Sequence, residues 1–585
     1  MIMIKVMLIA PTYDRPGYKK ANGFRTIIKV INKFVPILVK LTSLDCPENV
    51  QQLINETNQR SSTSPSNYVN SINGVLTILI ELCNLTIDCH QNWSIIKDPK
   101  EKYLWLQRTY RYTYEKLANE LIDYWTYHEL FWYESSIRDY LSYTISAFTT
   151  LSKPPVSLLS LLCRRERGSR MTSIAWKGDP FFQTTVINLL DNPIVDNINK
   201  LFFKFSGISL RNIKIPRQKD WIIPFDGNPV VHRDTLDQPP TESFVTCDQI
   251  KLRLYQVDNL PPNGTVIIHI QGGGFMVDAH AVHASYIKSW LPQLSGAIVV
   301  NIDYSLSVRY PVALQEIVDS ILWLVSPNNI TEIATTLQFI PDNLIILGDS
   351  CGGYLGLAAC AVLRDIKDLA PGQITVFPSS LVCLSPVMAP VNLNYSPSLL
   401  LSMLDPFLCP TLNLQVLSLY STGITLDSEC QSTIDLSATV TMSSSSSSSS
   451  SESSSPIIGY VKESLWFTLG RCLFGRDVCW FDCDPITFEK RLNKLTDKLF
   501  HPYISLLTSY DLNRLTDHLK VHLVTSDLDV QLDSALEFER VWKGSLTIDI
   551  VDDLPHGFYA FSMLSKTAKD GAQICLDRLK QSINR

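Results

Sequence analysis

The hexapeptide Gly348-Asp349-Ser350-Cys351-Gly352-Gly353 joins an apolar run at 344–347 to a stretch with helical spacing at 354–363. Small residues on both sides of a serine permit a sharp strand-to-helix turn that lifts Oγ clear of the backbone. The chemistry this suits is nucleophilic attack on a carbonyl carbon. A serine alcohol is a poor nucleophile near neutral pH. It needs a general base within hydrogen-bond reach and an acid that orients the base. Gly-x-Ser-x-Gly alone also fits an ordinary glycine-rich turn; the strand before it and the helix after it single it out.

Where a nucleophile sits on such an elbow, the acid follows it in the chain and the histidine comes last. His501, His518, His522 and His556 follow Ser350. His556 lies in Leu554-Pro555-His556-Gly557-Phe558, just after a strand-like run ending at Val551. A loop beyond the last strand can return its imidazole to the elbow. His522 falls inside a predicted strand at 521–525 and His518 precedes it, so both read as structural. The acid is expected in the loop after 521–525. Asp527, Asp529 and Asp533 are the candidates, and spacing does not choose among them. A tetrahedral intermediate also needs donors for its oxyanion. The segment His269-Ile270-Gln271-Gly272-Gly273-Gly274-Phe275 follows another strand-like run and can offer backbone N–H groups at close range.

The elements that must position these residues are readable in outline. From 247 onward, β-rich runs at 265–270, 297–302, 344–347, 381–384, 521–525 and 546–551 alternate with helix-like stretches such as 312–325 and 532–542. That alternation predicts an α/β fold, a mostly parallel sheet covered by helices on both faces. Residues 21–150 carry a helical spacing, as in Ile27, Ile28, Val30, Ile31, Phe34 and Val35, with a polar break at 55–70. The serine run at 443–451 cannot bury apolar surface. The chain of 585 residues is therefore divided into a helical N-terminal domain (1–246), two parts of one α/β unit (247–425 and 501–585) and a Ser-rich insertion (426–500).

Composition excludes some classes. The net charge of -6 and the lack of a long basic run argue against nucleic acid as a partner. The short basic stretch at 164–170 reads as a solvated loop. Cys472, Cys479 and Cys483 lack the paired spacing of a zinc site, so neither metal nor cofactor is expected and the chain is read as reduced and cytoplasmic. Residues 1–10 are apolar but lack a basic flank and a cleavage site, so they are not read as a signal peptide. No uninterrupted apolar stretch reaches about 18 residues, and no spanning helix is expected.

Together these residues carry a family resemblance. Ile270-Gln271-Gly272-Gly273-Gly274-Phe275 resembles the HGGGF loop of the hormone-sensitive lipase family of α/β-hydrolases, and the Ser350 hexapeptide resembles its GDSAGG elbow. Segments beginning at Ser285, Asp303, Ser396 and Asp552 are similar as well, and so, in the N-terminal region, is Ala21-Asn22-Gly23-Phe24-Arg25. The resemblance covers 247–425 and 500–565 strongly and is thinner before that. It implies the α/β-hydrolase fold with an N-terminal all-helical domain, within which this chain would begin. It implies Ser350 as nucleophile, His556 as base and Asp529 as acid, the last from the family's DPxxD motif matched onto Asp529-Val530-Gln531-Leu532-Asp533. The N–H groups of Gly273, Gly274 and Cys351 would hold the oxyanion, with Gln271, Gly272, Gly348, Asp349, Gly352 and Gly353 in support.

Members of the family hydrolyse carboxylic esters, and its animal lipases act on acylglycerols, especially diacylglycerol, and on cholesteryl esters. The resemblance also implies a phosphorylated insertion, a homodimer, a protein kinase and a fatty-acid-binding protein as partners, and peripheral attachment to lipid droplets. Four departures bear on the site, one being the segment Leu306-Ser307-Val308-Arg309-Tyr310-Pro311, about two residues shorter than the family's turn and so expected to alter substrate selection. Gln271 replaces a histidine, and its amide is expected to hydrogen-bond and fix the loop. Val530 replaces a proline. Cys351 replaces an alanine and is expected to be tolerated, because its N–H is what acts. Two other readings share the scaffold: a small-molecule carboxylesterase, and a receptor-like binding module resembling the plant gibberellin receptors. Those receptors lack the base that His556 would supply.

Overall fold

The computed structural model describes residues 2–42, 65–126, 205–235, 248–390, 396–422 and 484–584, apart from isolated positions within them. The basic stretch at 164–170, the serine run and Cys472, Cys479 and Cys483 lie outside the described residues. The helical stretches of the N-terminal region are α1 (Ile2–Ile9), α2 (Gly23–Thr42), α3 (Pro65–Trp93) and α4 (Pro99–Thr126). Phe24, Ile27, Val30 and Phe34 of α2 are buried, the stripe that their spacing predicts. Ile72–Trp93 within α3 is long and apolar enough to cross a membrane by length and composition, although polar residues interrupt its apolar run. Ile72, Val75, Ile78, Leu79 and Leu82 of this helix are buried inside the protein, the pattern of a core helix.

The sheet begins earlier than expected. Strand β1 (Ile208–Pro216) lies within the stretch expected to be helical, followed by the short antiparallel pair β2 (Trp221–Ile222) and β3 (Val231–His232). β1 is an edge strand, buried at Ile208 and Ile215 but with Asn212 and Lys214 outside, so it lacks the continuous apolar run that marks its neighbours. Next come β4 (Gln249–Val257), β5 (Thr265–Ile270), α5 (His280–Trp290), β6 (Ile298–Asp303), α6 (Val312–Val325), β7 (Asn343–Asp349), α7 (Cys351–Leu369) and β8 (Ser380–Leu384). The chain continues through α8 (Pro410–Thr422), α9 (Pro485–Leu499), β9 (Lys520–Ser526), α10 (Leu532–Val541), β10 (Leu546–Val551) and α11 (Lys566–Ile583).

Eight strands form one sheet in the order β1-β4-β6-β5-β7-β8-β9-β10. The β1–β4 and β4–β6 pairs are antiparallel and the rest are parallel. Every residue of β5, β7 and β8 is buried, as a parallel sheet covered on both faces requires. This is the α/β-hydrolase architecture. α9, at the C-terminal end of the expected insertion, starts on Pro485 with Asp484 Oδ1 accepting from Ile486 N and Thr487 N at 3.0 Å. Such an N-cap satisfies donors that the first turn leaves open.

Candidate active site

The chemistry-bearing residues sit where parallel strands end. Open α/β sheets bind ligands at the carboxyl ends of their strands, because adjacent loops diverge there and leave a crevice. Ile270 of β5 pairs with Gly348 of β7, and Asp349 with Leu384 of β8, so the loop beginning at Gln271 and the elbow leave the sheet side by side. Ser350 has φ 53° and ψ -121°, a strained conformation for a residue with a Cβ. It is held by Ser350 N donating to Leu384 O at 2.9 Å and Val387 N donating to Ser350 O at 3.1 Å. The glycines around it are needed for space. A Cβ on Gly352 would lie 2.1 Å from Ile270 O, and one on Gly348 would lie 2.4 Å from Gly352 O.

Three of the residues singled out in the sequence form one hydrogen-bonded chain. Ser350 Oγ is 3.0 Å from His556 Nε2. His556 Nδ1 lies 3.0 and 3.1 Å from Asp529 Oδ1 and Oδ2. With Nδ1–H donating to the carboxylate, Nε2 is left to accept the serine proton. Gln531 N donates to Asp529 Oδ1 at 2.8 Å and fixes the carboxylate. Burial draws the pKa of His556 down, but the charge and hydrogen bond of Asp529, with Asp405 and Asp349 behind, more than offset it, and the net shift is upward.

The other candidates are placed elsewhere. Asp527 accepts from Asp553 N at 2.8 Å and pairs with Lys29. Asp533 accepts from Gly23 N at 2.9 Å and Ser398 N at 2.7 Å. His522 Nδ1 meets Thr547 Oγ1 at 2.7 Å, and burial lowers its pKa to about 4. His501 Nδ1 accepts from Tyr503 N at 3.1 Å. His518 lies beside the Phe377 ring.

The glycine loop packs directly on the elbow. Gly272 N donates to Asp349 Oδ2 at 3.0 Å, and a Cβ on Gly272 would lie 3.0 Å from Ser350 Cβ. Gly273 has φ 115° and Gly274 φ 61°. A Cβ on Gly273 would come 2.3 Å from Val277 O, whose N–H in turn donates to Gly273 O at 3.0 Å. Gly273→Ala therefore has no unstrained way to keep this turn. We expect kcat to fall about 10²–10³-fold, the usual cost of a lost oxyanion donor. Steady-state kinetics beside a thermal melt checks this: a variant that melts with the parent and turns over at the parent rate would remove the loop from the chemistry.

Two expectations for this loop need correction or extension. The Gln271 amide does not fix it. That side chain is fully buried, and neither its Oε1 nor its Nε2 has a hydrogen-bond partner. The fixing is done by Gly272 N and by Tyr304 OH, which donates to Gln271 O at 2.8 Å. Cys351 contributes more than an N–H. Its buried thiol is pushed up to about 12 by desolvation, against the N–H groups of Phe275 and Gly274, which hydrogen-bond to it. The side chain at 351 thus touches the same loop as its backbone does.

Asp349 is the hub that the hexapeptide did not reveal. Its Oδ1 accepts from His269 Nε2 at 3.0 Å and Tyr286 OH at 3.3 Å. Its Oδ2 accepts from Gly272 N and from Tyr559 OH at 3.2 Å. Burial would raise this pKa, but His283, His269 and the Gly272 N–H bring it down to about 2. His269, His283 and Asp349 have the composition of a metal site, with ligand atoms within 4.8 Å of one another. Both carboxylate oxygens already carry hydrogen-bond donors, so an ion would have to displace them; the cluster is a brace between the glycine loop and the elbow. The sequence signal for it was a histidine inside the apolar strand β5.

The sheet order, the elbow at the end of β7 and the Ser350–His556–Asp529 chain define the class, an α/β-hydrolase. Comparison agrees: residues 267–434 match a family described by the α/β-hydrolase fold. Among curated proteins, the bovine hormone-sensitive lipase is 29% identical over 204 residues, covering 33% of this chain and 24% of that lipase. The human hormone-sensitive lipase is 31% identical over 173 residues, covering 28% and 14%. An esterase of Mycobacterium tuberculosis, LipU, is 26% identical over 133 residues, covering 22% and 38%. Over these residues the chain is similar to hormone-sensitive lipases and shares the α/β-hydrolase fold. Its matches span no more than 24% of the length of those two mammalian lipases.

Proposed function

We propose that the protein hydrolyses carboxylic esters of neutral lipids, acylglycerols and cholesteryl esters among them, through an acyl-enzyme on Ser350. The observation that carries this is the unbroken chain from Ser350 Oγ through both nitrogens of His556 to Asp529. In the first half-reaction His556 Nε2 takes the Ser350 proton as Oγ bonds to the ester carbonyl carbon. The negative charge on the carbonyl oxygen is held by the N–H groups of Gly273 and Cys351, with that of Gly274 shared with the Cys351 thiol. Collapse breaks the ester C–O bond, and the imidazolium returns its proton to the leaving alcohol. Water repeats the sequence and frees the acid. The lipid class is supported by the named relatives and by Ile4, Met7 and Leu8 of α1, which expose apolar side chains that suit peripheral contact with a lipid surface.

The test uses the purified full chain with p-nitrophenyl butyrate, a long-chain p-nitrophenyl ester and a diacylglycerol emulsion, beside labelling by a fluorophosphonate. Turnover of the emulsion and an adduct on Ser350 are expected. Turnover of the short ester alone would replace the lipid substrate with a small-molecule one. Absence of both turnover and adduct would leave a binding module and sink the proposal.

A further inference from the structure

The loop that carries Asp529 and the loop that carries His556 are tied together from outside by the N-terminal helix α2. Lys29 Nζ pairs with Asp527 Oδ2, two residues before Asp529. The same ammonium lies 3.2 Å from Asp553 Oδ1 and 3.6 Å from Asp552 Oδ1, on the loop that leads to His556. Lys33 Nζ is 2.6 Å from Asp553 Oδ1, and Lys19 Nζ is 2.5 Å from Asp552 Oδ1. Thr26 Oγ1 donates to Asp527 O at 2.6 Å, so α2 grips the backbone of the acid loop as well as its side chain. On the basis of the Ser350–His556–Asp529 reading above, we propose that Lys29, assisted by Lys33, is a positioning residue for the acid–base pair: α2 clamps the Asp529 loop to the His556 loop.

The physical case rests on charge and on fixed geometry. Asp527, Asp552 and Asp553 bring like charge to the place where the two loops meet, and like charges within a few ångströms repel. Lys29 touches all three carboxylates, so it offsets a repulsion that would spread the acid from the base. Asp527 is buried and Lys29 half-buried, which weakens the screening that acts in full on surface ion pairs. The backbone of the base loop is strained where the clamp holds it. Asp553 has φ 61°, and its N–H donates to Asp527 Oδ1 at 2.8 Å. A residue kept in that region needs surroundings that over-determine it. The helix is itself anchored and closely packed at its start. Gly23 N donates to Asp533 Oδ1, and a Cβ on Gly23 would lie 2.1 Å from Ser398 N. Lys29 therefore acts from a fixed platform, and a small outward shift of either loop would lengthen the His556–Asp529 bond.

Steady-state kinetics on Lys29→Met in the full chain tests this. A misplaced acid–base pair should lower kcat for p-nitrophenyl butyrate about tenfold with KM nearly unchanged, since geometry is lost while binding is not. Lys29→Arg restores kcat towards the parent value, which a packing role for the lysine stem would not require. Amide hydrogen exchange at 526–531 and 552–557 is read in parallel and needs no substrate. Faster exchange in both loops of Lys29→Met supports the clamp even if the parent proves to hydrolyse no ester, so failure of the hydrolase reading and failure of the clamp are told apart. Parent kcat and parent exchange in Lys29→Met, or in the milder Lys33→Met should the first variant not fold, overturns the proposal.

Discussion

Ser350→Ala lowers kcat on an activated ester about 10⁶-fold, the scale seen when a serine nucleophile is removed from a working site. Among the described residues, the neighbouring thiol does not replace it. The thiol of Cys351 next to it is buried, and its pKa is pushed up to about 12, so it supplies no thiolate near neutral pH. The variant should remain folded, because alanine leaves the Gly352 and Gly348 contacts untouched. It should also remain strained. With φ at 53° and ψ at -121°, any residue that carries a Cβ pays about 1–3 kcal/mol for the elbow. Ser350→Gly removes that penalty and should melt higher than Ser350→Ala while being equally inactive. Both lack the hydroxyl, so the comparison isolates backbone strain from the lost bond to His556. Turnover in Ser350→Ala at anything near the parent rate would end the assignment of the nucleophile, and a Ser350→Gly that melts no higher would show that the elbow is not under strain.

The elbow was legible because its chemistry and its geometry are written in neighbouring residues. An apolar strand, a serine between small residues and a helix follow one another, and the fully buried β7 and α7, buried from Cys351 to Leu363, flank it as that pattern predicts. The parallel sheet was legible for the same reason, through β5, β7 and β8. β1 was not, since an edge strand with Asn212 and Lys214 outside needs no apolar run and resembles the polar stretches around it. The choice among Asp527, Asp529 and Asp533 was also closed to local reading. It is made by partners some 500 positions away: Asp527 by Lys29 and Asp533 by the backbone of Gly23, which leaves Asp529 to face the imidazole. Gln271 shows the limit in the other direction. Its amide could have bonded to the loop, yet in a closely packed interior the backbone of Gly272 and the hydroxyl of Tyr304 do that work and the amide is left without a partner.

Asp529→Asn should lower kcat about 10⁴-fold, as loss of the orienting carboxylate does in a Ser-His-Asp site. An amide presents N–H to Nδ1 as readily as it accepts from it, so the tautomer that leaves Nε2 free for the serine proton is no longer enforced. The same substitution should move the acid limb of the pH–rate profile, and the sign follows from the forces on His556. Catalysis requires the neutral imidazole, so rate is lost as pH falls through its pKa. Burial lowers that pKa, and the Asp529 charge and hydrogen bond raise it above the ordinary histidine value. Removing the Asp529 charge leaves burial opposed only by the more distant Asp405 and Asp349, and the limb shifts to lower pH even as the plateau drops. Asp527→Asn should move the limb far less, because that carboxylate bonds to Lys29 and the Asp553 backbone and reaches the imidazole only through the position of the two loops. Profiles of kcat/KM for the parent and both variants, taken at constant ionic strength, separate these outcomes. An unmoved limb in Asp529→Asn, or a shift of equal size in Asp527→Asn, would assign the orienting role to another carboxylate.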